Sequence, residues 1–205
     1  MLVWWLLAVA FLASFIVLGL CVSRCPPARI DVAAVGLRGI GAPLAALFTA
    51  LGRWWAVAAV ILLAATVAVK SGDHVAPVFW ILGSQAASQG AVSGCKRLFR
   101  RTRPEGWLLY HEPDLSFPSG HATTAIVLFG ELLFLAQRAP ALHGPLGLSI
   151  DAALGACVVG IPWSRLALGA HFATDVIGGI LFGCSWSCVT LGVAGTLHVI
   201  PVLRA

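Results

Sequence analysis

The stretch LVWWLLAVAFLASFIVLGL, residues 2–20, is apolar throughout apart from Ser14, and it has the length of roughly 20 residues that a helix needs to cross a bilayer core. No charged segment precedes it and no small-residue cleavage pattern follows, so it reads as a retained first span and not as a signal peptide. The remainder of the chain has the same character. Of 205 residues, 60% are hydrophobic and 10% charged, against about 45–50% and about 25% in soluble domains, and the mean hydropathy is +0.95. This composition excludes a soluble globular enzyme and a disordered chain. Six Cys in 205 residues are too sparse for a disulfide-stapled scaffold. An all-α integral membrane bundle remains, read as one domain over residues 1–205.

Working outward, residues 21–53 carry Arg24, Arg29, Asp31, Arg38 and Arg53 with Pro26, Pro27 and Pro43, and read as a loop plus a short amphipathic helix lying along the interface beside Trp54 and Trp55. Further spans are expected over Trp54–Val69, Val75–Cys95, Ser119–Gln137, Ser149–Pro162 and His171–Leu197, about six in all. In the third, Gln85, Ser88 and Gln89 share one helical face and read as interhelical hydrogen-bond glue. Gly178 and Gly179 in the sixth allow close helix packing. Glu131 falls inside the fourth span, about 15 Å below His121, where a partner on a polar face such as Gln85 or Gln89 is expected. The spacing of Cys21 from Cys25 and of Cys184 from Cys188 does not suit disulfides, so all six cysteines are taken as small buried or interfacial residues.

The net charge of +5 comes from 13 Lys and Arg against 8 Asp and Glu. No basic stretch alternates with stacking aromatics, which speaks against nucleic acid; anionic or phosphorylated lipid headgroups fit better. The polar residues gather in three clusters at span ends: Lys96 with Arg103 and Pro104; Pro118, Ser119, Gly120 and His121; and Ser164 and Arg165 with His171 and Asp175. Residues 122–163 number 42, one helix across and one back at ~20 residues each. His121 and Ser164 therefore share a membrane face. The 13 residues between Pro104 and Pro118 are too few and too polar to cross, which adds Lys96 and Arg103 to that face.

His171 and Asp175 lie four apart, so the carboxylate can accept the Nδ1 proton and leave Nε2 as a nucleophile or base. His121 is a second imidazole, available as an acid. Lys96, Arg103 and Arg165 supply fixed positive charge suited to phosphate, and Ser119, as a helix N-cap, adds donors at the positive end of a helix dipole. Such a set neutralises a phosphoryl transition state without a metal or other cofactor. Two His and one Asp are also metal-ligand types, but the neighbouring cations disfavour that reading.

In order and complete, these residues form the pattern Lys-x6-Arg-Pro, Pro-Ser-Gly-His and Ser-Arg-x5-His-x3-Asp. Over residues 96–175 the chain resembles the PAP2 superfamily of membrane lipid phosphatases, the type 2 phosphatidic acid phosphatases. The resemblance implies that His171 attacks phosphorus to form a phosphohistidine, that Asp175 orients it and that His121 protonates the leaving oxygen. It also implies that Lys96, Arg103, Ser119, Gly120 and Arg165 hold the phosphate, and that the substrate is a lipid phosphate or diphosphate: polyprenyl diphosphate, phosphatidylglycerol phosphate or phosphatidic acid. A lipid phosphotransferase of the same fold and a non-catalytic lipid-binding protein are the alternatives.

The other histidines, His74, His143 and His198, read as loop or interface residues, and His111 as a loop residue on the site side. Arg97, Arg100 and Arg101 read either as solvated loop charges or as a grip on a second phosphate. Ten of the 13 basic residues fall on the site face, all but Lys70, Arg138 and Arg204, which by the positive-inside rule points to the cytoplasm. The resemblance implies the opposite, an extracytoplasmic site in a bacterial plasma membrane with both termini inside, and part of the charge is explained by phosphate binding.

Overall fold

Each of the stretches read as spans is helical. The computed structural model describes the chain apart from residues 1, 71, 73–74, 105–113, 140–141, 143, 198 and 200–205. Its helices are α1 (Leu2–Val22), α2 (Arg29–Ala34) running into a 3-10 turn at Val35–Leu37, α3 (Ala42–Leu51), α4 (Trp54–Lys70), α5 (Ala76–Phe99), α6 (Gly120–Thr124), α7 (Glu131–Ala136), α8 (Pro145–Ala167) and α9 (Ala173–Thr196). A π-helical stretch, Ala125–Gly130, joins α6 to α7. The expected positions His74, His111, His143 and His198 lie outside the described residues.

Among the described residues three helices, α1, α8 and α9, are long and apolar enough to cross a bilayer alone. The α4 helix and the α6–α7 rod are apolar but shorter. At 24 residues α5 has the length, but it carries Ser84, Gln85 and Ser88, all buried, because these groups can exist in lipid only where other helices cover them. The bundle is centred on α9: 56% of its apolar window is inside the protein, against 17% for α1. Its Gly178 and Gly179 meet the expectation of close packing, since a Cβ on the first would strike the Phe117 ring and on the second the carbonyl oxygen of Ser119.

Boundaries differ where helix ends are set by tertiary contacts. The fifth span runs over Pro145–Ala167 and continues through Pro162, longer than the expected Ser149–Pro162, because its last turns are buried around Ile161, Ser164 and Arg165. The sixth begins at Ala173, so His171 stands in the preceding loop. Residues 21–53 hold two short helical pieces and are not only exposed: α2 with its 3-10 turn and α3 are bent by 113°, α3 packs along α8 with Phe48 against Gly160, and Asp31 is fully buried.

Glu131 is 1% exposed and accepts hydrogen bonds from Thr190 Oγ1 at 2.9 Å and Ser84 Oγ at 3.5 Å. Its partners are not Gln85 and Gln89, which instead donate to Thr124 Oγ1 at 2.8 and 3.1 Å. The glutamines sit nearer the site end of α5, so the expectation of glue holds for them while the carboxyl is served by α5 and α9 together. Cys21 in the last turn of α1 and Cys25 just past it are exposed and Cys188 is buried, all as free thiols.

A Gly179→Ala substitution forces the start of α6 away from α9, because the new methyl meets a backbone oxygen that cannot yield. It is expected to cost roughly 1–3 kcal/mol, read as a lowered thermal midpoint in detergent, whereas Gly155→Ala, inside α8 with open space around it, does not lower the midpoint and raises it slightly through helix propensity.

Candidate active site

The C-terminal turn of α5 delivers the first cations. The helix stops at Arg100, which is in the left-handed region at φ 50° and returns its N–H to the Lys96 carbonyl at 2.9 Å. The chain then runs extended beside residues 114–118, where the Ser116 N–H donates to the Arg101 carbonyl at 2.8 Å. Four aromatic rings hold this junction: Phe117 stacks on Phe15 at 5.5 Å between ring centres and meets Phe99 edge-on at 5.1 Å, while Phe15 also packs on Phe182. Two residues on from Phe117, Ser119 caps α6 by accepting the Ala122 N–H at 3.4 Å, and its own N–H donates to the backbone carbonyl of Asp175 at 3.1 Å.

The loop between α8 and α9 turns at Gly169, φ +63°, and the Ala170 N–H closes it onto the Arg165 carbonyl at 2.9 Å. His171, 3% exposed, projects from this loop. Its Nε2 lies 3.2 Å from Arg103 Nη1. A guanidinium offers only donors, so Nε2 is the accepting nitrogen and the ring proton is assigned to Nδ1. Burial holds the imidazole well below its usual range, and the charges of Arg103, Arg165, Lys96 and His121 push the same way. The result is a neutral ring with its lone pair facing cations.

On the other side of the ring the contact differs from the expected direct pair. Asp175 Oδ2 is 3.6 Å from Nδ1, longer than a hydrogen bond. Ser116 Oγ stands between them, 3.4 Å from Nδ1 and hydrogen-bonded to Asp175 Oδ2. Oδ2 also accepts the Phe172 N–H at 2.9 Å, so the carboxylate both caps its own helix and faces the histidine.

Lys96 Nζ and Arg103 Nη2 both pair with the carboxylate of Asp114, which shows that the two cations converge on one anion-sized position. Burial by itself raises the Asp114 carboxyl, but the hydrogen bonds and charges of Lys96 and Arg103 outweigh it and bring it down to about 2. Arg103 also donates to the Ala170 carbonyl at 2.6 Å, and Arg165, 1% exposed, donates to Thr49 Oγ1 at 2.5 Å. Gly120 opens α6, its carbonyl accepting from Gln89 Nε2 at 3.3 Å. His121 lies against Gly52, with its Nε2 buried and without a hydrogen-bond partner among the described residues. A small cleft lined by Ala34, Val35, Arg38, Leu166, Gly169 and His171 lies beside the histidine.

All eight residues named from the sequence thus gather at one end of the bundle. The reading of Arg101 as a solvated loop charge or a grip on a second phosphate is corrected: its guanidinium is buried and pairs with Asp31 and Asp175. Arg97 and Arg100 are exposed. The sequence reading did not find Ser116, Thr49, Asp114 or Asp31. Of these only Asp31 carried a local signal, an acid three residues after Ala28 at a helix start; the others gain their partners by long-range folding. Among the described residues no three His, Cys, Asp or Glu side chains converge as a metal ion requires.

Known proteins align with this arrangement. The chain is 41% identical over 91 residues to phosphatidylglycerophosphatase B of Bacillus subtilis, covering 43% of each protein. It is 31% identical over 105 residues to a lipid A 1-phosphatase of Rhizobium johnstonii, covering 46% of this chain and 38% of that protein. The chain thus spans less than half the length of these relatives. The crystal structure of a transmembrane PAP2-type phosphatidylglycerolphosphate phosphatase from Bacillus subtilis superposes with a TM-score of 0.76 at 24% identity, over 93% of this chain and 96% of that one, which shows a common fold. Residues 77–198, from the second residue of α5 through α9, match the model of the PAP2 superfamily, and the chain belongs to this family.

Proposed function

We propose that the chain, as a single unit over residues 1–205, is a lipid phosphatase that works through a phosphohistidine. The observation that carries this reading is the His171 Nε2 lone pair, 3.2 Å from Arg103 Nη1 and beside the point on which Lys96 and Arg103 converge. The substrate phosphate takes the place of the Asp114 carboxylate between those cations, with Arg165 and the donors at Ser119 and Gly120 on its remaining oxygens. Nε2 attacks phosphorus in line with the leaving oxygen. As the N–P bond forms and the P–O bond breaks, His121 gives its proton to the departing lipid alkoxide or phosphate. The imidazolium charge is stabilised through Nδ1 by Ser116 and the Asp175 carboxylate. Water, deprotonated by His121, then attacks the phosphohistidine, releases phosphate and restores both histidines. The fixed cations supply the transition-state stabilisation, so no cofactor enters the scheme.

The substrate class is an amphiphile whose phosphate or diphosphate reaches the bundle end from the bilayer: polyprenyl diphosphate, phosphatidylglycerol phosphate or phosphatidic acid. The names of both relatives, each a phosphatase of a lipid, support that class. Exposed Arg38 on the cleft beside His171 is suited to a second phosphate or headgroup, the place first considered for Arg101. The site faces outward from a bacterial plasma membrane, with both termini inside, because part of the charge on that face belongs to catalysis and Arg101 is neutralised by buried acids.

His171→Ala is expected to abolish turnover of every lipid phosphate in EDTA and to remove an acid-labile labelled phosphoenzyme that the parent accumulates. His121→Ala loses activity on poor leaving groups, and Asp175→Asn keeps a small residue. Normal turnover by His171→Ala would disprove the nucleophile. Phosphate passed to an acceptor lipid would mark a transferase, and a parent protein that binds lipid without turnover would mark a non-catalytic one.

The pH profile follows from the depressed His171. Because kcat/KM reports free-enzyme ionisations and the imidazole loses its proton well below its usual value, the acid limb of kcat/KM falls under the ordinary imidazole pKa of about 6.5. A limb at or above that value contradicts the assignment. For sidedness, a cysteine engineered between residues 105 and 116 of a Cys-free variant is expected to react with an impermeant thiol reagent in intact cells; protection until lysis places the site in the cytoplasm.

A further inference from the structure

Two charged residues outside the three-part pattern, Asp31 and Arg101, are built into the same buried array as Asp175. Arg101 lies over the Phe172 ring at 4.2 Å. Its Nη1 donates to Asp175 Oδ1 at 2.5 Å and to Thr174 Oγ1 at 2.7 Å, and its Nη2 donates to Asp31 Oδ2 at 3.1 Å. Asp31, 0% exposed, accepts at Oδ1 the Thr174 N–H at 2.8 Å and at Oδ2 the Ala28 N–H at 3.0 Å. Thr174 is the second residue of α9, and its N–H has no partner within that helix. Asp31 therefore caps a helix that is not its own, at the end where a carboxylate is favoured by the dipole.

The consequence for the site is directional. A carboxylate is planar, and Arg101 pins Oδ1 of Asp175, which leaves Oδ2 to face Ser116 and His171. Without that anchor the group is held through Oδ2 alone, by the Phe172 N–H and Ser116 Oγ, so its plane can tilt about that oxygen and the direction in which it faces Nδ1 is less sharply fixed. Arg101 is 8% exposed and directed at two acids, so it differs from Lys96 and Arg103, which converge on the anion position. We propose that Asp31 and Arg101 are positioning residues for the His171–Asp175 pair, through which α2 sets the angle at which Asp175 faces the histidine. This rests on the phosphohistidine reading above.

The test uses the full chain in detergent with phosphatidic acid in mixed micelles, measuring kcat and KM separately. Arg101→Met is expected to lower kcat about ten-fold with KM within about two-fold, and Arg101→Lys to recover part, since an ammonium reaches one carboxylate but not both in a planar fork. Asp31→Asn, which keeps an acceptor for the Thr174 N–H, lowers kcat by a smaller factor. In an Asp175→Asn background Asp31→Asn costs nothing further, because its effect passes through Asp175; a purely structural role gives additive losses. Additive losses, or a raised KM at unchanged kcat, overturn the proposal. Should Arg101→Met fail to fold, Arg101→Lys and the Asp31–Asp175 cycle decide. His171→Ala run in parallel separates the two claims: full activity there removes the nucleophile assignment, whereas its loss together with additive cycles removes the positioning alone.

Discussion

The buried carboxylate of Asp175 is the constraint on which the site end of the bundle depends. It accepts the Phe172 N–H and so closes the first turn of α9; it accepts Ser116 Oγ and so fixes the segment that leads into α6; and it accepts Arg101 and so ties down the chain leaving α5. An ionised group in a protein interior is tolerated only when its lone pairs are filled. Filling them here requires three separate stretches of chain to meet within hydrogen-bond distance. Catalytic geometry and helix assembly are thus consequences of one requirement.

A second consequence concerns where polarity is allowed. The outward faces of α1, α4 and α8 carry exposed Leu, Val and Trp, as lipid-facing surfaces do. Inside, a line of polar groups runs from Glu131 with Ser84 and Thr190 to Gln85, Gln89 and Thr124 and on to the Gly120 carbonyl. In hydrocarbon such groups have no water to fall back on, so each is met by another helix. The π-helical stretch Ala125–Gly130 lies between Thr124 and Glu131, within a rod that serves this line at both ends.

The cations illustrate how little a charge count says about role. Lys96, Arg101 and Arg103 come from one short run, yet Lys96 and Arg103 meet at an anion-sized position while Arg101 is consumed by two acids. The left-handed residue Arg100 ends α5 after Lys96, and Arg101 and Arg103, two positions apart on the segment that follows, meet different partners. Residues 21–53, read as an interfacial segment, contribute the fully buried Asp31, which pairs with Arg101.

By itself the sequence determined that the chain is helical and membrane-embedded, because runs of ~20 apolar residues have no other stable state in a bilayer. It also determined which residues meet at one mouth, because span length converts sequence separation into membrane face. Residues such as His171, Asp175, Arg103 and His121 were legible for that reason and through the spacing of their motifs. Only the tertiary structure decided how they touch: that Ser116 stands between His171 and Asp175, that Arg103 meets Nε2, and that Asp31 caps α9 from another helix. Those contacts join residues from 55 to 143 positions apart, and no local propensity or periodicity encodes a separation of that kind; it is set by how whole helices pack to satisfy buried charge.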